Sequence, residues 1–147
     1  MTVLKKITKY NTDDGITELE LVDDAVHAVW GGSWRMPRAD EFAKLRDAVD
    51  TVWTDNYNNS GVAGLLCTDK NDKTKTLFFP ACGYAKQSSI EDVCSNGYYW
   101  SKSLYDEITA YHLSFYSDNV NWQDTYNSYY GYTVRGVWDD KLTKSNQ

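Results

Sequence analysis

YYWSKSLYDEITAYHLSFYSDNVNWQDTYNSYYGYTVRGVW, residues 98–138, is the stretch around which this chain is organised. It carries nine of the twelve tyrosines, interleaved with Ser, Asn and Asp. Its apolar and polar residues alternate with the two-residue period of a strand rather than the longer period of a helix. Leu113 and Phe115 fall on one strand face, expected to be core, and His112, Ser114 and Tyr116 on the other, expected to be surface. Tyr and Trp offer large, stiff contact area at low entropic cost, and Ser, Asn and Asp add adaptable hydrogen bonds, which is the composition of a recognition surface. Aromatic residues are also good strand formers, so packing alone accounts for the composition equally well. Trp100, Tyr116 and Trp122 are planar groups suited to stacking on the faces of sugars, peptides or protein surfaces.

Toward the C-terminus, Tyr132, Val134 and Trp138 alternate with Thr133, Arg135 and Val137, as in a closing strand, with Val134 joining the scaffold. The polar tail 139–147 is expected to fray. Toward the N-terminus, Lys86–Gly97 has no clear period and reads as a surface loop. Before it come three short β-like pieces, Thr51–Tyr57, Val62–Thr68 and Thr76–Phe79, the last ended by Pro80, which cannot donate to a ladder. Phe42, Leu45 and Val49 form the apolar stripe of an amphipathic helix in RADEFAKLRDAVDTVW, residues 38–53, with Asp40 and Glu41 in its first turn. A shorter helix starts at an Asp23 or Asp24 N-cap and stops at Gly31 and Gly32. Val3–Tyr10 reads as an edge strand and Asn11–Gly15 as a turn.

A chain of 147 residues fits one domain spanning 1–147. A net charge of −6 and a pI near 4.8 argue against nucleic acid or an anionic membrane as partner and favour neutral, polar or basic ones. No apolar run is long enough for membrane insertion, and MTVLKKITKY lacks the apolar segment of a signal peptide. The protein is therefore expected either to stay in the cytoplasm or to be exported by a signal outside this sequence. Cys67, Cys82 and Cys94 are too few for a disulfide framework and read as small core or loop residues, with one bridge open.

Catalytic chemistry finds little support. His27 and His112 are the only histidines, each isolated from any nucleophile motif, and no phosphate-binding loop, dinucleotide fingerprint or zinc-protease motif occurs. Asp69, Asn71 and Lys73 begin like a calcium loop but put lysine at a ligand position. Asp118, Asn119, Asn121 and Asp124 form a denser oxygen cluster, which a solvated loop explains as well. No catalytic residue, metal or cofactor is expected.

Four blocks stand in order: AVHAVWGGSWRMPRADEFAKL (25–45), LFFPACGY (77–84), GYYWSKSL (97–104) and GYTVRGV (131–137). Together they resemble the bacterial C-type-lectin-like domains of the Fibrobacter succinogenes major paralogous type, with Ala110, Leu113 and Phe115 matching that family's AxxLxF spacing. The resemblance implies an α+β C-type-lectin-like fold of two helices, a small mixed or antiparallel sheet and long loops. Arg38 stands where the family has a capping Thr, Cys82 where it has Ala, and the lectin calcium motifs are absent.

The chain also resembles the variable proteins of diversity-generating retroelements, which display rewritten residues on that fold between blocks like those at Tyr98 and Tyr132. That resemblance implies a contact set reaching from Tyr98 and Trp100 through Tyr105, Asp106, His112, Ser114, Tyr116 and Asp118. It continues with Asn121, Trp122, Asp124, Tyr126, Asn127, Tyr129 and Tyr130, gathered at one end of the domain. The expected function is non-enzymatic binding of a protein or glycan on another cell or surface, in a setting on a bacterial surface, in secretion or on a virion. Two other classes stand beside it: an oxidase related to formylglycine-generating proteins, for which Cys82 and Cys94 are the nearest reactive pair, and a structural module of an adhesin or phage tail fibre.

Overall fold

A computed structural model describes residues 8–144, so residues 3–7 of the expected edge strand lie outside it. The first helix, α1 (Ala25–Trp30), starts where Asp24 accepts hydrogen bonds from the backbone N–H groups of Val26 and His27, both at 3.0 Å. The same fully buried carboxylate takes the Met36 N–H at 2.9 Å, which fixes the exit of β1 (Trp34–Arg35) against the helix start. Gly31, at φ 64°, ends α1 in a backbone region that a side chain disfavours.

The second helix, α2 (Ala39–Ala48), is shorter than its sequence pattern. Arg38 has no oxygen with which to cap it, and Glu41 instead accepts from the Arg38 N–H at 2.9 Å, keeping half of a capping box. Phe42 and Leu45 face the core, but Val49 leaves the helix and opens β2 (Val49–Thr54), because the β-branched run Val49, Thr51, Val52 and Thr54 favours the pleat. β2 pairs with β3 (Gly64–Asp69), and β3 with β4 (Thr76–Pro80).

The expected surface loop 86–97 instead begins within a small hairpin of β5 (Tyr84–Lys86) and β6 (Ser89–Glu91). All but Tyr84 of these residues are exposed, so neither strand has the one-sided burial that creates an alternating pattern. The largest sheet is β7 (Gly97–Leu104), β8 (Thr109–Tyr116) and β9 (Asn119–Asn127), with β8 in the middle. Last, β10 (Val137–Trp138) pairs with β1, and α3 (Asp140–Lys144) follows where fraying was expected. Arg35 anchors that end: its buried guanidinium holds Asp139 at 2.7 Å and Glu41 at 2.7 Å.

These observations correct the expected fold class. Among the described residues there are ten strands in four sheets and three helices of six, ten and five residues. This is a β-rich fold, not an α+β arrangement of two helices on a small mixed sheet, and every strand-to-strand ladder is antiparallel. The segment 131–135 is no strand either. It crosses β7 through single bridges, with Trp100 N–H donating to the Thr133 carbonyl and Thr133 N–H to the Tyr98 carbonyl, both at 3.0 Å. Val134 consequently faces out, at 40% exposure, and is not scaffold.

The core joins Phe42, Leu65, Cys67, Phe79, Tyr99, Leu113, Phe115 and Trp122 across both three-stranded sheets. Burial raises the Cys67 thiol pKa to about 12, so it behaves as an apolar filler. Trp122, expected as a contact residue, is 9% exposed and belongs to this core. Replacing it with Ala is expected to cost about 3–5 kcal/mol of unfolding free energy, read from the denaturant midpoint; a loss below about 1 kcal/mol would mean the indole is dispensable for packing.

Candidate functional site

The register of β8 and β9 explains why Trp122 points inward while Asp124 points out. Ser114 pairs with Asn121 and His112 with Asp124, so Leu113 alone stands opposite both Trp122 and Gln123. This β-bulge shifts the pleat by one residue. Without it, Val120, Trp122, Asp124 and Tyr126 would share a single face. With it, Val120 and Trp122 pack on the core and Asp124 and Tyr126 turn to the opposite side, beside His112 and Ala110.

On that opposite side lies a cavity of about 300 Å³, lined by Tyr84, Lys86, Tyr98, His112, Asp124, Tyr126, Tyr130 and Tyr132. Tyr132 stacks against both Trp100 (4.3 Å between centroids) and Tyr98 (4.9 Å), while Tyr84 meets Tyr98 edge-on at 5.4 Å and Tyr130 at 5.7 Å. Tyr126 and Tyr129 flank Tyr130 at 5.0 and 4.7 Å. These offset and perpendicular contacts suit the ring quadrupoles and hold the cup without a covalent link. Trp100 supports it from the side, donating its indole N–H to the Tyr130 carbonyl at 3.2 Å.

His112 forms part of the floor. It sits on the display face as the strand period requires, yet it is 2% exposed, and Ser114 is buried too, because the tyrosine group covers this face. Its Nε2 lies 3.6 Å from Asp124 Oδ2, beyond hydrogen-bond length, and its Nδ1 is buried with no partner. Burial pulls the imidazole pKa below its ordinary value, outweighing the opposing pull of Asp124 and the Ala110 carbonyl. His112 is therefore neutral at pH 7. Asp124 accepts from Ser114 Oγ at 3.1 Å and from Thr125 N–H at 2.9 Å. Ser114 thus bonds to the acid and not to the imidazole, so this trio lacks the nucleophile–base link of a catalytic triad.

Four of the phenols, Tyr84, Tyr98, Tyr130 and Tyr132, are held neutral. Tyr84 is raised chiefly by its bond to Glu91, Tyr98 and Tyr132 chiefly by burial, and Tyr130 to about 12, first by its contact with Tyr129. Lys86 extends its Nζ over the Tyr130 ring, 6.0 Å from the centroid.

The expected contact residues divide into separate places instead of one end. Tyr98, His112, Asp124, Tyr126 and Tyr130 line the cup, with Trp100 behind it. Tyr105 and Asp106 lie at the β7–β8 loop, beside a second hollow. Tyr116 and Asp118 lie at the opposite end of β8, near Thr51 and Trp53. Asn121 and Tyr129 are exposed, and Asn127 donates to the Tyr129 hydroxyl at 3.3 Å. Tyr84, Lys86 and Tyr132 were missed. The only sequence signal for Tyr84 was its place in the LFFPACGY block, and Lys86 lay in a stretch without period. Cys82 and Cys94 are exposed and unbridged. Among the described residues no cluster of three or more His, Cys, Asp or Glu is arranged to hold a metal ion.

A family model described as a domain of unknown function (DUF8237) matches residues 66–137. The chain is similar to that family over this stretch, which runs from β3 to β10 and contains every residue lining the cup. No curated protein matches the chain, and no solved structure does.

Two outcomes test the geometry. Ala85 and Gly131 exchange backbone hydrogen bonds at 2.7 and 2.9 Å, and a Cβ on Gly131 would come within 2.8 Å of the Ala85 Cβ. Gly131→Ala is expected to cost about 1–3 kcal/mol in denaturation, and adding Ala85→Gly, which removes the opposing methyl, to recover most of it. The second concerns pH. With the folded pKa of His112 below 6.5, the unfolded chain binds the proton more readily, so stability is full above about 6.5 and falls as the pH drops through that value. Urea midpoints between pH 8 and pH 5 should show this decline in the native protein and not in His112→Gln. Carboxylates held low, such as Glu41 and Asp139, add their loss only below their ordinary 4.5 and 3.8.

Proposed function

We propose that this chain is a recognition domain that binds a protein or glycan ligand through the tyrosine cup, without catalysis. The observation that carries this is the convergence of five tyrosines with Lys86, His112 and Asp124 around one open cavity. Aromatic anchors held by neighbouring rings bind with little loss of side-chain freedom, which is why Tyr dominates interface hot spots. The floor supports the same reading, since a neutral histidine and a serine-bonded carboxylate offer fixed hydrogen-bond partners but no activated nucleophile.

The resemblance to retroelement variable proteins supports a finer version, in which codons between Tyr98 and Tyr132 are rewritten to retune the surface. A reverse transcriptase gene and a near-repeat of this coding segment, differing at adenines, beside the gene would agree with it; their absence would remove it and leave the binding domain in place.

The domain itself is tested by screening the intact chain against immobilised glycans and bacterial surface proteins. Any ligand found is expected to lose at least about tenfold in affinity, the scale of aromatic hot spots, in a Tyr126→Ala/Tyr130→Ala variant. Tyr116→Ala, at the far end of β8, should leave it unchanged. Undiminished binding by the double variant would overturn the assignment to the cup.

A further inference from the structure

The charges around the cup are unbalanced. Asp124 lines it, Glu91 accepts from the Tyr84 hydroxyl at 3.1 Å, and Asp92 stands 3.5 Å from the Tyr98 hydroxyl. Against these three carboxylates the lining holds one cation, Lys86, whose ammonium sits at the outer limit of cation–π range from Tyr130. His112 adds no charge at pH 7, and its Nδ1 is one of two buried side-chain atoms among the described residues that lack a partner. Tyr84, Tyr98, Tyr130 and Tyr132, held protonated, keep electron-rich faces and contribute no anion. An anionic ligand would meet three like charges there, whereas a cation would meet carboxylates and ring faces, on a chain whose net charge is −6.

We infer that the cup is a site for an organic ammonium group, the lysyl side chain of a protein ligand, which seats against Tyr130 and Asp124 by displacing Lys86. This rests on the cup being the recognition surface and names what it recognises. Lys86 is exposed on the β5–β6 hairpin, so it can swing away without cost to the core. Its own ammonium occupies the position that the incoming one takes, which makes it a competitor as well as a marker of the site.

The test titrates the full chain with Nα-acetyl-lysine N-methylamide, its uncharged counterpart Nα-acetyl-norleucine N-methylamide, and methyl glucoside as a neutral polyol. Amide resonances of Tyr84, Tyr126, Tyr130 and Tyr132 are followed. The lysyl probe is expected to shift them saturably, and the norleucine probe and the glucoside to leave them in place. Lys86→Gln should tighten lysyl binding about threefold or more, and Asp124→Asn should weaken it about tenfold, in keeping with a partly desolvated cation–π and charge contact. Asn keeps one oxygen for the Thr125 N–H and can donate its amide N–H to Ser114 Oγ, which then accepts instead of donating, so that variant reports charge and not folding.

Equal binding of the norleucine probe, a response to the glucoside alone, no saturable shift with the lysyl probe, or weaker binding in Lys86→Gln would overturn the inference. If the lysyl probe fails while the Tyr126→Ala/Tyr130→Ala variant still loses the screened ligand, the ammonium assignment falls and the recognition surface stands. If that variant keeps the screened ligand, the recognition surface itself falls.

Discussion

Strand β8 has no solvent face between His112 and Phe115, and the arrangement of the molecule follows from covering both of its sides. Leu113 and Phe115 are sealed by Phe79, Tyr99 and Trp122. The other side presents an imidazole and a hydroxyl, groups that are costly to bury unless something polar accompanies them. Ser114 is satisfied by Asp124; His112 has the distant carboxylate, the Ala110 backbone and a roof of rings. The roof has to come from elsewhere in the chain. It is drawn across β7 by the backbone bonds of Thr133, and the chain beyond it is pinned by Asp139 on the buried Arg35.

Covering the polar face with tyrosines rather than leucines changes what that face can do. Tyr98 and Tyr132 lay their rings against His112, and the Tyr84 and Tyr98 hydroxyls find polar partners in Glu91 and Asn96. The result is a layer that protects the strand from one side and presents a chemically specific surface from the other. Scaffold and display are thus the same residues seen from two directions, which is why Tyr98 and Tyr132 stack inward on neighbours while also lining the cavity.

Much of this was legible in the residues, and the failures have identifiable causes. Asp24 and Gly31 announced α1, because capping and left-handed backbone are local demands of particular side chains. The two faces of β8 were assigned correctly by period, but period says only which residues share a face, not whether something covers it. His112 and Ser114 were taken as surface for that reason. Trp122 was misplaced because a bulge cannot be seen in alternation: one extra residue in β9 moved Asp124 and Tyr126 to the cup and left the indole in the core. The helix ending at Ala48 and the hairpin at Tyr84–Glu91 were lost to competing signals, a β-branched run in the first and two exposed strands in the second. The expected α+β class failed because it set two helices beside one small sheet, whereas ten strands in four sheets dominate the described residues.

The junction of Ala85 and Gly131 has a consequence for how this surface tolerates change. It is built from main-chain donors and acceptors, which are indifferent to the side chains around them. The side chains of Tyr126, Asn127 and Tyr129 take no part in that exchange, whereas Ala85 and Gly131 must stay small for the backbones to meet. The molecule therefore separates shape from surface chemistry: a few narrow positions preserve the hollow, and the broad ones around them set the chemistry it presents.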